Sequence, residues 1–171
     1  MQALIGLGSN LDSPSQRLIS ALRALQRLPG LTLCHHSRLY ASAPVGPQDQ
    51  PDYVNAAAAL TFQGSPHELL HTLQALELAA GRQRLRHWGE RTLDLDILLI
   101  GDRCIDTPDL QVPHPQMTRR AFVLYPLMDI CADALLPDGT ALSSFLEQVK
   151  DQRISPLAEL ERDALIEREN P

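Results

Sequence analysis

Two Ser-Pro pairs do most to decide what this chain can fold into. Ser13-Pro14-Ser15-Gln16 and Ser65-Pro66-His67-Glu68 each offer a helix-capping serine, a proline at the first helical position and a Gln or Glu three residues after the cap. Leu18, Leu22, Leu25 and Leu28 follow the first signal at helical spacing, and Pro29-Gly30 stops the run. Leu69, Leu73, Leu76 and Ala80 follow the second, closed by Gly81. Two amphipathic helices are predicted, and the rest of the chain must cover their apolar faces.

Around these helices the period changes to two. Residues 3–8 read as a short buried strand. Residues 31–40 read as a second, with Leu31, Leu33, His35, Ser37 and Leu39 on one face. Residues 53–62 form a third and residues 93–100 a fourth, turning at Gly101-Asp102 into a hairpin with residues 103–105. The order β-α-β-β-α-β predicts an α+β, ferredoxin-like sandwich, with extra C-terminal strands and helices between Leu110 and Val149. Residues 43–52 hold too many prolines for a helix or central strand, and a long loop between two strands predicts a functional role. The domain is expected to span residues 1–150. Residues 151–171 are charge-rich and carry no candidate ligand, which predicts a peripheral helix or a disordered tail whose removal leaves an active protein.

A net charge of −6 excludes a general basic field for nucleic acid or anionic lipid. The three cysteines, Cys34, Cys104 and Cys131, are odd in number and lack metal or disulfide spacing, which fits a reducing compartment. No apolar run is long enough to cross a bilayer and no basic segment precedes the first apolar stretch, so a cytoplasmic protein is expected.

The chemistry concentrates around the fourth strand. Asp94 and Asp96 alternate with Leu93, Leu95 and Ile97, so period two puts both carboxylates on one face, about 7 Å apart along the strand. Two like charges there are costly without cations, and hard oxygen ligands of this kind suit Mg²⁺ shared with substrate phosphates. The preceding loop carries Arg82, Arg84, Arg86 and Arg91 with His87 and Trp88. Guanidinium groups match phosphate oxygens bidentately, and a lone tryptophan in a polar loop can stack on an aromatic ligand. These arginines repel one another until phosphate neutralises them, so the loop is expected to close on bound substrates. Glu77, one turn after Gln74 on the second helix, suits either a salt bridge to that loop or a ligand contact. His114, between Pro113 and Pro115, is either structural or an oriented ligand contact. No Gly-rich phosphate loop exists, so side chains and metals must hold any phosphates.

Residues 89–98, Gly-Glu-Arg-Thr-Leu-Asp-Leu-Asp-Ile-Leu, resemble the signature of the 6-hydroxymethyl-7,8-dihydropterin pyrophosphokinase family of folate biosynthesis. Gly6-Leu7-Gly8-Ser9-Asn10-Leu11, the stretch from Pro44 to Asn55, and Val112-Pro113-His114 through Phe122 are similar to the family as well. The resemblance implies transfer of a pyrophosphoryl group from ATP to the pterin hydroxymethyl oxygen, with AMP released. It assigns Asp94 and Asp96 to two Mg²⁺ ions, and Arg82 and Arg91 to charge stabilisation. It puts Gln74, Glu77, Arg84, Trp88, Ile97, His114 and Arg120 at the ATP site, and Ala43, Pro44, Val45, Tyr53, Asn55 and Phe122 around the pterin. The implied partners are these two small molecules, with no nucleic acid or membrane, and a monomer is expected. Ala43, Val45, His87, Asp109 and Pro115 depart from residues found in some relatives, whereas the two aspartates and the two central arginines do not. Another Mg²⁺-dependent nucleotidyl or phosphoryl transferase on this scaffold, or a ligand- or RNA-binding module, stays open at this point.

Overall fold

The computed structural model describes residues 1–11, 13–44, 46–81 and 92–166. A mixed-length antiparallel sheet forms its centre. Strand β1 (Gln2–Ser9) lies between β4 (Tyr53–Phe62) and β5 (Asp94–Ile100), while β2 (Leu31–His36) and β3 (Leu39–Ser42) share the far side of β4. With helices α1 (Pro14–Gln26) and α2 (Pro66–Ala79) the order is β-α-β-β-β-α-β, that of a ferredoxin-like sandwich whose second strand is split into β2 and β3. Both cover one face, where Ile5 and Leu7 of β1 and Leu95 and Ile97 of β5 meet Leu18, Leu22, Leu25, Leu69 and Leu73. The other face carries α3 (Ala121–Cys131) and a 3₁₀ segment, Leu142–Val149, over Ala57, Leu98 and Leu99.

The two helix starts behave differently. Ser65 Oγ accepts from the Glu68 amide at 3.2 Å, as the capping signature predicts. Ser13 adopts a left-handed conformation at φ 59° and makes no side-chain cap. The extended backbone that aims a cap oxygen at the first turn is lost there, and the helix starts on Pro14 alone.

Residues 31–40 are two strands where one was expected. A bulge between Leu33 and His35 reverses the alternation, so His35 faces solvent and His36 is fully buried. At Ser37 the ladder passes to a side chain: Ser37 N donates to the Ala57 carbonyl, and Ser37 Oγ accepts from the Ala57 amide at 2.8 Å. Arg38 then turns to α3, donating from its backbone N, Nε and Nη2 to the Asp129 carboxylate, which also accepts from Tyr40 Oη at 2.8 Å. Burial and the Asp129 charge push the Tyr40 phenol up to about 12. Burial alone would raise the Asp129 carboxyl, yet the bonds from Arg38 and Tyr40 more than offset it and hold it below the usual range. A depressed carboxylate stabilises the fold above its unfolded pKa of about 4 and loses that contribution as pH falls through the folded value. Asp129→Asn is therefore expected to lower the melting temperature by a few degrees at neutral pH, with the gap to wild type narrowing in acid.

The expected hairpin after β5 does not form. The chain turns at Gly101, but its return strand β6 (Ile105–Asp106) pairs with β7 (Gln111–Val112) in a separate ribbon. The ribbon returns the chain to β5, where the His114 amide donates to the Leu98 carbonyl at 3.0 Å.

Residues 151–166 depart most from the expected peripheral helix or disorder. Strand β8 (Ile154–Leu157) pairs antiparallel with Leu39–Ser42 of β3 and joins the main sheet. Beyond it, Leu160 is buried, and Asp163 receives the His36 amide on its carboxylate while its own amide donates to the His36 carbonyl. The His36 ring contacts the Ser37 carbonyl through Nδ1 and accepts the Leu165 amide at Nε2.

Candidate active site

Strand register brings the site together. Gly8 lies opposite Asp94 on one side and Asn55 on the other, and Gly6 lies opposite Asp96. Asp94, Gly8 and Asn55 thus form a row across three neighbouring strands, about 10 Å from end to end at the backbone. Side chains are missing from the middle of that row. A Cβ on Gly8 would stand 3.4 Å from Asn55 Oδ1, and one on Gly6 would meet the Leu98 side chain at an ordinary contact distance of 3.6 Å. The two glycines give the sheet a bare floor where a ligand can approach the backbone.

Helix α3 and the segment before it supply the opposite wall. The cavity between them has a volume of about 310 Å³, near the lower end of ligand pockets. Asp94, Asp96, His114 and Arg120 line one part of it, and Ser42, Ala43, Tyr53, Asn55, Phe122 and Val123 line the rest. Buried Asn55 donates from Nδ2 to Ser42 Oγ at 2.7 Å, which orients its amide. The Arg120 guanidinium stands 5.4 Å from the centre of the Phe122 ring. Burial lowers the Arg120 pKa, with the charges of Asp96 and Asp94 opposing it. Burial likewise lowers His114, helped by Arg120 and opposed by Asp96. The Gln116 amide donates to His114 Nδ1 at 3.1 Å, so the neutral ring carries its proton on Nε2.

Of the expected residues, Asp94, Asp96, His114, Arg120, Ala43, Tyr53, Asn55 and Phe122 come together here. Pro44 sits next to the lining without joining it. Ile97 points its side chain into the core on the helix-covered face, because period two turns it away from Asp94 and Asp96, so only its backbone can meet a nucleotide. Gln74, exposed, and Glu77, buried, belong to α2 and line no part of this cavity. Val45, Arg82, Arg84, Trp88 and Arg91, with the loop closure expected of them, lie outside the described residues. Gly6, Gly8, Ser42, Leu98, Gln116 and Val123 were not singled out as lining. Glycines alternating with Ile5 and Leu7 are the sequence signal that marks the first two.

Among the described residues no three His, Cys, Asp or Glu side chains converge as a metal cage. Mg²⁺ needs none, since one or two carboxylates plus substrate phosphates hold it. Asp94 and Asp96, on one face at the cavity wall, fit that kind of site.

The family model described as 7,8-dihydro-6-hydroxymethylpterin-pyrophosphokinase (HPPK) matches residues 4–132. A 2-amino-4-hydroxy-6-hydroxymethyldihydropteridine pyrophosphokinase of Haemophilus influenzae is 46% identical over 155 residues, covering 91% of this chain and 97% of the relative. The Pseudomonas aeruginosa protein of the same name is 52% identical over 142 residues, covering 83% and 88%. Among solved structures, a Plasmodium falciparum HPPK-DHPS superposes with a TM-score of 0.69 at 14% identity, over 93% of this chain and 51% of that one. The chain spans about half of that longer protein, and at this identity the likeness concerns the fold alone. The sheet row, the cavity and the family match agree: this chain belongs to the 7,8-dihydro-6-hydroxymethylpterin-pyrophosphokinase family.

Proposed function

We propose that this cavity is where the chain transfers the pyrophosphoryl group of ATP to the hydroxymethyl oxygen of 6-hydroxymethyl-7,8-dihydropterin, the pyrophosphokinase step of folate biosynthesis. The observation that carries the reading is the row Asp94–Gly8–Asn55, with carboxylates at one end and an oriented amide at the other. One end suits a cation-bound triphosphate and the other the donor–acceptor edge of a pterin. The family match decides against the other transferases and the non-catalytic modules.

Asn55, held by Ser42, reads the pterin edge, and Phe122 stacks on the ring with Arg120 at its side. The hydroxymethyl group then points along the bare glycine floor toward Asp94 and Asp96. Its oxygen attacks the β-phosphorus in line. The bond from that phosphorus to the α–β bridging oxygen breaks, AMP leaves with the bridging oxygen, and the hydroxyl proton passes to water. Two Mg²⁺ ions held by Asp94 and Asp96 would neutralise the triphosphate. His114 offers an Nε2–H to a phosphate oxygen, and Arg120 offers its guanidinium. Arg82 and Arg91 stabilise charge passing to AMP; Arg84, Trp88, Gln74, Glu77 and the Ile97 backbone hold the nucleotide. Ala43, Pro44, Val45 and Tyr53 complete the pterin frame.

The reading extends to a cytoplasmic monomer without a nucleic-acid partner; the three free cysteines support the reducing compartment and the net charge of −6 the lack of a nucleic-acid partner. No described helix is long and apolar enough to cross a membrane.

Asn55→Ala is expected to weaken pterin binding by about 1–3 kcal/mol, by leaving polar groups of the ligand unpaired, with ATP binding nearly unchanged. Titration of each ligand checks it. A variant that loses ATP and keeps pterin would mean that the two ends of the row are exchanged.

A further inference from the structure

Three consecutive residues soon after the 3₁₀ segment contact residues that flank or belong to three parts of the cavity lining. Gln152 Oε1 accepts from the Ala121 amide at 2.8 Å, and its Nε2 donates to the Arg119 carbonyl at 2.8 Å. One side-chain amide therefore grips the backbone on both sides of Arg120. Arg120 occupies the N-cap position of α3 without a side-chain cap, so Gln152 satisfies an amide that the helix itself leaves over. Arg153 Nη1 and Nη2 then meet Asp52 Oδ2 and Oδ1 at 2.7 and 2.8 Å, in a bidentate pair. Asp52 precedes Tyr53, which lines the cavity. Ile154 pairs with Ser42, the residue that orients Asn55.

We infer that Gln152 and Arg153 are positioning residues that set the spacing of the pterin end of the cavity, holding the start of α3 and the start of β4 at fixed distances from β3. The inference rests on the assignment of that end to the pterin. Neither side chain lines the cavity. They act through Phe122 and Arg120 on one wall and Tyr53 and Asn55 on the other. An exposed ion pair adds little to global stability, but a bidentate pair between residues 101 apart in sequence ties the start of β4 to the segment before β8.

The test uses the full chain, steady-state kinetics with ATP, Mg²⁺ and 6-hydroxymethyl-7,8-dihydropterin, and the variants Gln152→Ala, Arg153→Asp and Asp52→Arg with Arg153→Asp. Arg153→Asp is expected to raise the pterin KM about fivefold or more, with the ATP KM and kcat within about twofold. Gln152→Ala is expected to raise the pterin KM about threefold. Reversing both charges should return the pterin KM to within about twofold of wild type. Arg153 and Asp52 are exposed, so these two variants fold even if Gln152→Ala does not. An unchanged pterin KM in Arg153→Asp, equal losses for both substrates, or no recovery in the charge-reversed pair overturns the inference. Wild type that turns over no pterin takes down the site assignment and this role together. Wild-type turnover with indistinguishable variants takes down the role alone.

Discussion

Asp94→Ala and Asp96→Ala should each lower kcat by about 10³-fold or more at saturating substrates, with circular dichroism and melting temperature close to wild type. Both carboxylates stand on the cavity face of β5, opposite Gly8 and Gly6, and neither contributes to the apolar packing of that strand. On the proposed assignment their partners in the reaction would be cations and phosphates, so removal would leave the triphosphate charge without its counterweight and the β-phosphorus without a fixed position. The loss should appear mainly in kcat and not be recovered by raising Mg²⁺. Turnover within tenfold of wild type in either variant would remove that carboxylate from the assignment.

A chain ending at Lys150 should lose about 4 kcal/mol or more of stability and melt about 10 °C lower. This reverses what the sequence of residues 151–171 suggests, and the reason is specific. The truncation removes the β8 partner of Leu39–Ser42, the buried Leu160 and the Asp163 contacts to both His36 backbone groups. It also removes the acceptor at Leu165 for the Gln26 amide. Burial of one leucine contributes about 2 kcal/mol and each lost hydrogen bond about 1 kcal/mol. The stripped β3 edge would present unpaired backbone groups, so aggregation should accompany the loss. Equal melting temperatures for the full and shortened chains would sink the prediction.

What was legible in the sequence was what local chemistry encodes. The proline starts of α1 and α2, the apolar spacing of their leucines and the extent of residues 53–62 all depend on near neighbours. Period two in a hydrophobic strand is enough to put Asp94 and Asp96 on one face, and β5 carries both to the cavity. The misread features depend on distant partners. The break at Ser37 exists because its hydroxyl meets the Ala57 amide. The separate ribbon after β5 exists because Ile105 meets Val112. The role of residues 151–166 follows from contacts to Ser42, Asp52, His36 and Ala121, none of which a local pattern of charge and leucine can announce. Ile97 was placed at the nucleotide on resemblance, although its own alternation with Asp96 already turned its side chain toward the helices.

The pairing of Ser42 with Ile154 also bears on how the protein is made. Strands β1 to β4 leave the ribosome early and can begin to associate, but β5 must emerge before Gly8 acquires Asp94 as its neighbour. Ser42 must wait for residue 154, and the amide of Ala121 for Gln152. Contacts of such long sequence separation form late and slowly. A nascent chain that has reached Phe122 would thus carry every residue named for the substrates and still lack a finished pocket. Substrate binding should therefore begin abruptly as residues 152–157 become available, and mature ligand cannot rescue folding of shorter nascent forms.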